Sequence, residues 1–109
     1  MDVSIIYVNY NSSNLIANSI KSIIELTKGI SYEIIVVDNN SQQEDKNKLK
    51  TLCTTNNIIL IESDTNLGFG KGNNLGAKYA TGEYLFFLNP DTYLINNAIS
   101  QLLDFAKEH

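Results

Sequence analysis

Four short apolar runs punctuate this chain, and each stops at a polar cluster. The last is the most restrictive. Tyr84-Leu85-Phe86-Phe87-Leu88 runs without a strongly polar residue and then meets Asn89-Pro90-Asp91. An apolar run with aromatics and no alternation reads as a strand buried on both faces, as in a parallel sheet. Pro90 has no N–H to give to a ladder, so the strand ends at Asn89. Asp91 is then expected just past the carboxyl end of a central strand. In open α/β sheets that edge is where ligands bind.

The earlier runs repeat the pattern. Val3–Asn9 is rich in β-branched residues and reads as a first strand. It closes on Asn9-Tyr10-Asn11-Ser12-Ser13-Asn14, a loop and helix cap. Ile16, Ile20, Ile23, Ile24 and Thr27 share one helical face, with Lys28-Gly29 as the expected stop. Tyr32–Val37 is a second strand, ended by Asp38-Asn39-Asn40-Ser41. Ser41-Gln42-Gln43-Glu44 has the spacing of a capping box. It opens a polar helix to about Asn56, whose thin apolar stripe of Leu49, Leu52 and Cys53 predicts a place on the rim. Ile58–Ile61 is a short third strand. The glycine-rich stretch Asn66–Gly76 leads into a helix that stops at Thr81-Gly82. Ile99, Leu102, Leu103 and Ala106 mark a last amphipathic helix. This alternation predicts the α/β class: a Rossmann-like, mostly parallel sheet with helices on both faces, in one domain over residues 1–109.

Composition narrows the partners. The 109 residues suffice for one modest core, and the formal net charge is −4. No basic stripe exists to neutralise phosphates, which argues against nucleic acid and against an anionic membrane surface. No apolar run approaches the roughly 20 residues of a membrane span, and Met1-Asp2 leads straight into a strand rather than a signal segment. The expected compartment is the cytoplasm. Cys53 is the one cysteine, so no internal disulfide forms, and it reads as a small buried residue. His109, the one histidine, is the last residue and reads as lying outside any site or as a tag remnant. A cysteine/histidine zinc site is excluded by ligand count.

If the strands are parallel, Asn9-Tyr10-Asn11, Asp38-Asn39 and Asn89-Pro90-Asp91 meet along one edge. Asp38 reads as an acceptor for a ribose hydroxyl or a base N–H, or as a turn aspartate that caps local backbone. Tyr10 offers a ring for a base to stack on, or is a half-buried aromatic at the sheet edge; Tyr7 reads as core. The glycine stretch lets backbone approach a phosphate, with Lys71 adding charge, or is simply a tight loop. The first loop has no glycine, so the dinucleotide fingerprint of a nicotinamide enzyme is absent. Lys71 is followed by Gly72, so the Walker pattern is absent too. Asp91 is a hard oxygen ligand suited to Mg²⁺ or Mn²⁺. Asn89 is a weaker ligand or a contact to a substrate hydroxyl. As a bare tetrapeptide, Asn-Pro-Asp-Thr also reads as a β-turn.

Together, Val3–Asn11, Val36–Ser41, Asn66-Leu67-Gly68 with Asn74-Leu75-Gly76, and Leu88–Asp91 resemble the nucleotide-binding half of a family 2 glycosyltransferase with the GT-A fold. The resemblance runs from Val3 to about Leu103. The Asn-Pro-Asp form is most similar to rhamnosyltransferase-like members that extend cell-surface polysaccharides. The resemblance implies that Tyr10 stacks on the nucleobase and that Asp38 hydrogen-bonds it. It places Asn9, Asn11, Asn66, Gly68, Asn74 and Asn89 around the nucleotide sugar and gives Asp91 the divalent metal. Asn89 replaces the first aspartate of the family's Asp-x-Asp motif, and Asn73 stands where many members have arginine. The implied reaction transfers a sugar, with inversion, from a dTDP- or UDP-sugar to a saccharide or lipid-linked acceptor, in the full-length enzyme at the inner face of the membrane. The resemblance puts the catalytic base in a C-terminal half beyond residue 109. Asp104 and Glu108 do not match it, so no catalytic residue is assigned here and little or no turnover is expected. Two other readings share the chain: a non-catalytic nucleotide-binding module, and a homo-oligomer that covers an open sheet edge or helix face.

Overall fold

The computed structural model describes residues 1–108; His109, with the reading attached to it, lies outside the described residues. The elements follow the expected alternation: β1 (Val3–Asn9), α1 (Ser13–Leu26), β2 (Tyr32–Asp38), α2 (Gln43–Thr55), β3 (Ile59–Glu62), α3 (Gly68–Lys78), β4 (Tyr84–Leu88) and α4 (Ala98–Glu108). The strands form one parallel sheet in the order β3-β2-β1-β4. Parallel neighbours need crossovers, and the helices supply them.

The two faces are covered unequally. Val3, Ile5 and Tyr7 of β1, with Ile34 and Val36 of β2, face Ile16, Ile20 and Ile23 of α1, Leu49 and Cys53 of α2, and Ile99 and Leu103 of α4. Ser4, Ile6 and Val8 point the other way, where α3 lies against β1 and β2. That helix comes very close: a Cβ on Gly76 would stand 2.7 Å from Ile6 Cγ2 and 3.2 Å from Val37 Cγ2. Only glycine fits such an approach without displacing the sheet. Burial pushes the Tyr7 phenol up to about 12, and its hydroxyl pairs with Ser19 Oγ at 2.5 Å. Burial likewise pushes the Cys53 thiol up to about 11, leaving a core residue rather than a nucleophile.

Four local expectations are corrected. β4 is an edge strand of the described sheet, not a central one; Leu85 and Phe87 are 38% and 48% exposed on the α3 side. An unbroken apolar run says that both faces are apolar, not that both are covered. Helix α1 stops at Leu26, short of Lys28-Gly29, because Thr27 turns extended (ψ 112°) while its N–H still reaches Ile23 O. Ile24 and Leu102, assigned to apolar faces, lie at their edges and are exposed. The capping box does not form: α2 is capped by Gln42 without a side-chain bond, and Ser41 Oγ donates to Asp38 Oδ1 at 2.6 Å instead.

Candidate functional site

The carboxyl edge of the sheet carries a buried polar knot. Asn9 ends β1 and sits in register with Asp38, which ends β2. The Asn9 side chain is fully buried. Its Oδ1 accepts from Ser12 N at 3.1 Å. Its Nδ2 lies 3.0 Å from Asp38 Oδ1, 2.9 Å from Asp45 Oδ2 and 3.2 Å from Ser41 Oγ. An amide nitrogen has two hydrogens, so the two carboxylate contacts take them and the serine contact is secondary. Asp38 Oδ1 accepts from both Asn9 and Ser41 Oγ, while Oδ2 takes only Ser41 N at 3.2 Å.

Asp45 closes the knot from α2. Its Oδ1 accepts from Ser13 N at 3.1 Å and Ser13 Oγ at 2.6 Å. Ser13 is the first residue of α1, so a carboxylate from a neighbouring helix caps an N-terminus that has no side-chain cap of its own. Burial pushes the Asp45 carboxyl up, but hydrogen bonds from Ser13 and Asn9 outweigh it and hold the group below the usual carboxylate range. Asn11, at φ 52°, stitches the same two loops: its N–H donates to Ser41 Oγ at 2.9 Å and its Oδ1 accepts from Gln42 N at 2.8 Å.

Beside the knot lies a cavity of about 320 Å³, lined by Val8, Tyr10, Ser12, Asn39, Asn66, Gly68, Phe69 and Pro90. Four loops meet there, those after β1, β2, β3 and β4. Asn39 sets its far wall. Its side chain is buried, donates from Nδ2 to Gly68 O at 3.0 Å and accepts at Oδ1 from Leu67 N at 3.2 Å. Gly68, at φ +77°, turns the chain into α3, and its N–H is held by Asn66 Oδ1 at 2.8 Å.

The structure thus brings Tyr10, Asn66 and Gly68 to one cavity, with Pro90 at its border. Asn9 and Asp38 are buried and are not among its lining residues, and Asn11 faces a second, more polar groove with Gln42, Glu44, Asp45 and Lys48. Asn74 is exposed on α3, and the Asn73 Oδ1 is buried without a hydrogen-bond partner. Asn89 and Asp91 are exposed in a β-turn closed by Thr92 N to Asn89 O at 3.0 Å. No group of three or more metal-ligating side chains exists among the described residues. A lone exposed carboxylate suits an ion that takes most of its shell from phosphate and water, not a self-sufficient metal site. Asp45, Asn39 and Phe69 were not singled out by sequence. Asn39 stood inside the Asp38–Ser41 cluster, whereas Asp45 offered only an acidic residue in a first helical turn.

The fold and this edge define an open parallel α/β domain with its polar loops gathered at one end. The chain belongs to glycosyl transferase family 2, whose family model matches residues 4–109. It is 35% identical over 105 residues to the low-salt glycan biosynthesis hexosyltransferase Agl10 of Haloferax volcanii, covering 93% of this chain and 31% of that protein. It is 33% identical over 112 residues to the poly(ribitol-phosphate) beta-glucosyltransferase of Bacillus spizizenii, covering 100% of this chain and 18% of that protein. The crystal structure of S. aureus TarS 1-349 superposes with a TM-score of 0.83 at 28% identity, covering 100% of this chain and 33% of that one. The chain therefore spans about a third or less of the length of these relatives.

Proposed function

We propose that this chain forms the donor-binding part of a transferase that moves a hexosyl group from a nucleoside diphosphate to an acceptor hydroxyl in cell-surface glycan synthesis. The observation that carries the reading is the cavity where Tyr10, Asn66 and Gly68 converge from two loops at the carboxyl edge. Structures of TarS at 28% identity are complexes with UDP and with UDP-GlcNAc, which favours a uridine donor. The relatives are named as hexosyl- and glucosyltransferases, so rhamnosyl transfer from a dTDP-sugar is the narrower form of the proposal.

In this reading Tyr10 stacks on the base. Asp38, 1% exposed, accepts one hydrogen bond at Oδ2, from Ser41 N at 3.2 Å, and that oxygen is the one this reading gives to a base N–H. Asn9 and Asn11 hold the loop, and Asn66, Gly68, Asn74 and Asn89 border the ribose and sugar. Asp91 would hold Mg²⁺ or Mn²⁺ jointly with the diphosphate, and the ion would supply charge neutralisation of the leaving group. A mannosyltransferase from Pyrobaculum calidifontis, solved with GDP-Man and Mn²⁺, shares the fold at a TM-score of 0.81. No residue of this chain is assigned as the base, so donor binding without appreciable turnover is the proposed behaviour of residues 1–109. No described helix is long and apolar enough to cross a membrane. The proposed place of work is the cytoplasm, with the acceptor met at the inner face of the membrane.

Calorimetric titration with UDP and dTDP, with and without Mn²⁺, tests the proposal. UDP binding that is strengthened by Mn²⁺ and lost in Tyr10→Ala is the expected result. No binding of either nucleotide to the folded chain overturns it. Asp38→Ala is the wrong probe, because it strips partners from buried Asn9 and Ser41 and reports on folding. A second reading, self-association, rests on the exposed Leu85 and Phe87 of β4. Sedimentation that varies with protein concentration and ignores nucleotide would favour it.

A further inference from the structure

Phe69 has no part in the reading so far. It sits in the first turn of α3 and is 54% exposed, yet it lines the same cavity as Tyr10, which is 52% exposed. A lone exposed apolar side chain is ordinary, so what singles this one out is its place in the cavity and the support beneath it. Here the backbone is not loose. Asn39, itself buried, holds Leu67 N and Gly68 O immediately before Phe69, and Asn66 holds Gly68 N. The ring is presented on a fixed support, so little order remains to be imposed when something binds.

The cavity's chemistry says which part of a donor enters. None of its lining residues carries a formal charge, and Val8 and Pro90 add apolar surface beside the two rings. A diphosphate has no counter-charge there. A flat, neutral heteroaromatic ring fits, with Ser12 and Asn39 to meet its polar edge.

Resting on the donor-site reading above, we infer that Phe69 is a second aromatic contact to the nucleobase, acting with Tyr10 from a different loop. The base occupies the uncharged cavity, and the diphosphate leaves it past Pro90 toward exposed Asp91. Stacking contributions of this kind weaken binding roughly five- to hundredfold when the ring is removed.

The chain contains no tryptophan. Phe69→Trp therefore installs a single indole at the proposed contact, which can be excited selectively over the six tyrosines. The expected result is that UDP changes its emission and binds Phe69→Trp about as tightly as the parent chain, whereas inorganic pyrophosphate leaves the emission unchanged. Phe69→Ala and Phe69→Leu should both lose UDP affinity by at least fivefold, because leucine keeps the apolar volume but not the flat face. Their thermal midpoints should match the parent, since the ring is exposed. UDP binding by the parent with unaltered affinity in both Ala and Leu variants overturns the role of Phe69 and leaves the donor site standing. Emission that follows pyrophosphate as it follows UDP overturns the assignment of the base to this cavity. Failure of the parent to bind any nucleotide overturns the donor-site reading, and this inference with it.

Discussion

Asp45 and Ser13 lie on different helices, and one carboxylate oxygen of Asp45 takes both the backbone N–H and the hydroxyl of Ser13. The other oxygen takes Asn9. The first turn of α2 thereby fixes the start of α1 and the loop that carries Tyr10. Asp45→Ala removes all three bonds and strands part of a buried amide, which should cost about 2 kcal/mol. A fall in thermal midpoint of roughly 8–16 °C follows for a domain of this size. Thermal denaturation checks this, and a fall under about 4 °C would show that the Asn9 side chain, holding Ser12 N, fixes the start of α1 well enough alone.

Acid should loosen the domain at two places. At the opposite end of the sheet from the cavity, Glu33 Oε2 accepts from Ser4 Oγ at 2.5 Å, Thr81 N at 2.7 Å and Thr81 Oγ1 at 2.9 Å. Burial pushes the Glu33 carboxyl up, but these bonds outweigh it and leave the group below its ordinary 4.5. Asp45 lies below its ordinary 3.8 for the same reason. A lowered carboxyl favours the charged form in the fold, so its contribution is complete above the ordinary value and lost as pH falls through the folded one. Stability should be flat with respect to these two groups above about pH 5.5 and decline below about pH 4.5. Glu33→Gln, at a partly exposed site, should cost about 1 kcal/mol at pH 7 and flatten the acid limb. Urea midpoints measured from pH 3 to 7 would show it; a limb unchanged in Glu33→Gln would sink the assignment.

Gly76→Ala tests the seat of α3. Alanine gains about 1 kcal/mol in helix propensity over glycine, yet its Cβ would meet Ile6 Cγ2 at 2.7 Å. Overpacking of a rigid core costs about 1–3 kcal/mol, so the clash should win and the variant should lose about 1 kcal/mol net. Ile6→Ala alone destabilises as a cavity mutant. In the double variant the two effects should fall short of their sum, and strict additivity would mean that α3 simply shifts.

The segment that carries Asp91 is moored to α1. Leu94 N donates to Ser22 Oγ at 3.1 Å, and Ser22 Oγ in turn donates to Ser19 O at 2.6 Å. Further on, the Asn97 side chain accepts from Lys28 N and donates to Lys28 O. Ser22→Ala should leave the buried Leu94 N–H unpaired at a cost of about 1–2 kcal/mol. Hydrogen exchange should then speed up at Leu94 and its neighbours before it does in β1. Exchange that rises uniformly across the domain would mean that the mooring is part of global stability only.

The apolar runs and the polar stops between them were enough to read the elements and the edge at which the loops gather. The sheet is built from strands whose patterns are local. Sheet order is not local. Nothing within Tyr84–Leu88 says whether another strand covers it, so its place at the edge was not legible. The knot was hidden for the same reason, since Asp45 meets Asn9 and Ser13 across more than thirty residues. Ser41 shows how a correct pattern can be diverted: its capping box had the right spacing, but its hydroxyl donates to Asp38 Oδ1 and accepts from Asn11 N, both outside α2. Tyr10 follows directly on the apolar run of β1, whereas Asn66 and Gly68 were legible only as a glycine-rich loop and through the resemblance to the family.

The strand order also sets a timetable. Of these four strands β1 is made first, and it lies inside the sheet between β2 and β4. β2 follows soon and can zip onto one flank during synthesis. The other flank stays open until Tyr84–Leu88 has left the ribosome, close to the end of these residues. Long-range parallel pairing of this kind is slow to form. Until then the nascent chain carries a half-finished sheet with its most fully buried strand bare on one side, and its survival at that stage depends on what shields that flank until β4 arrives.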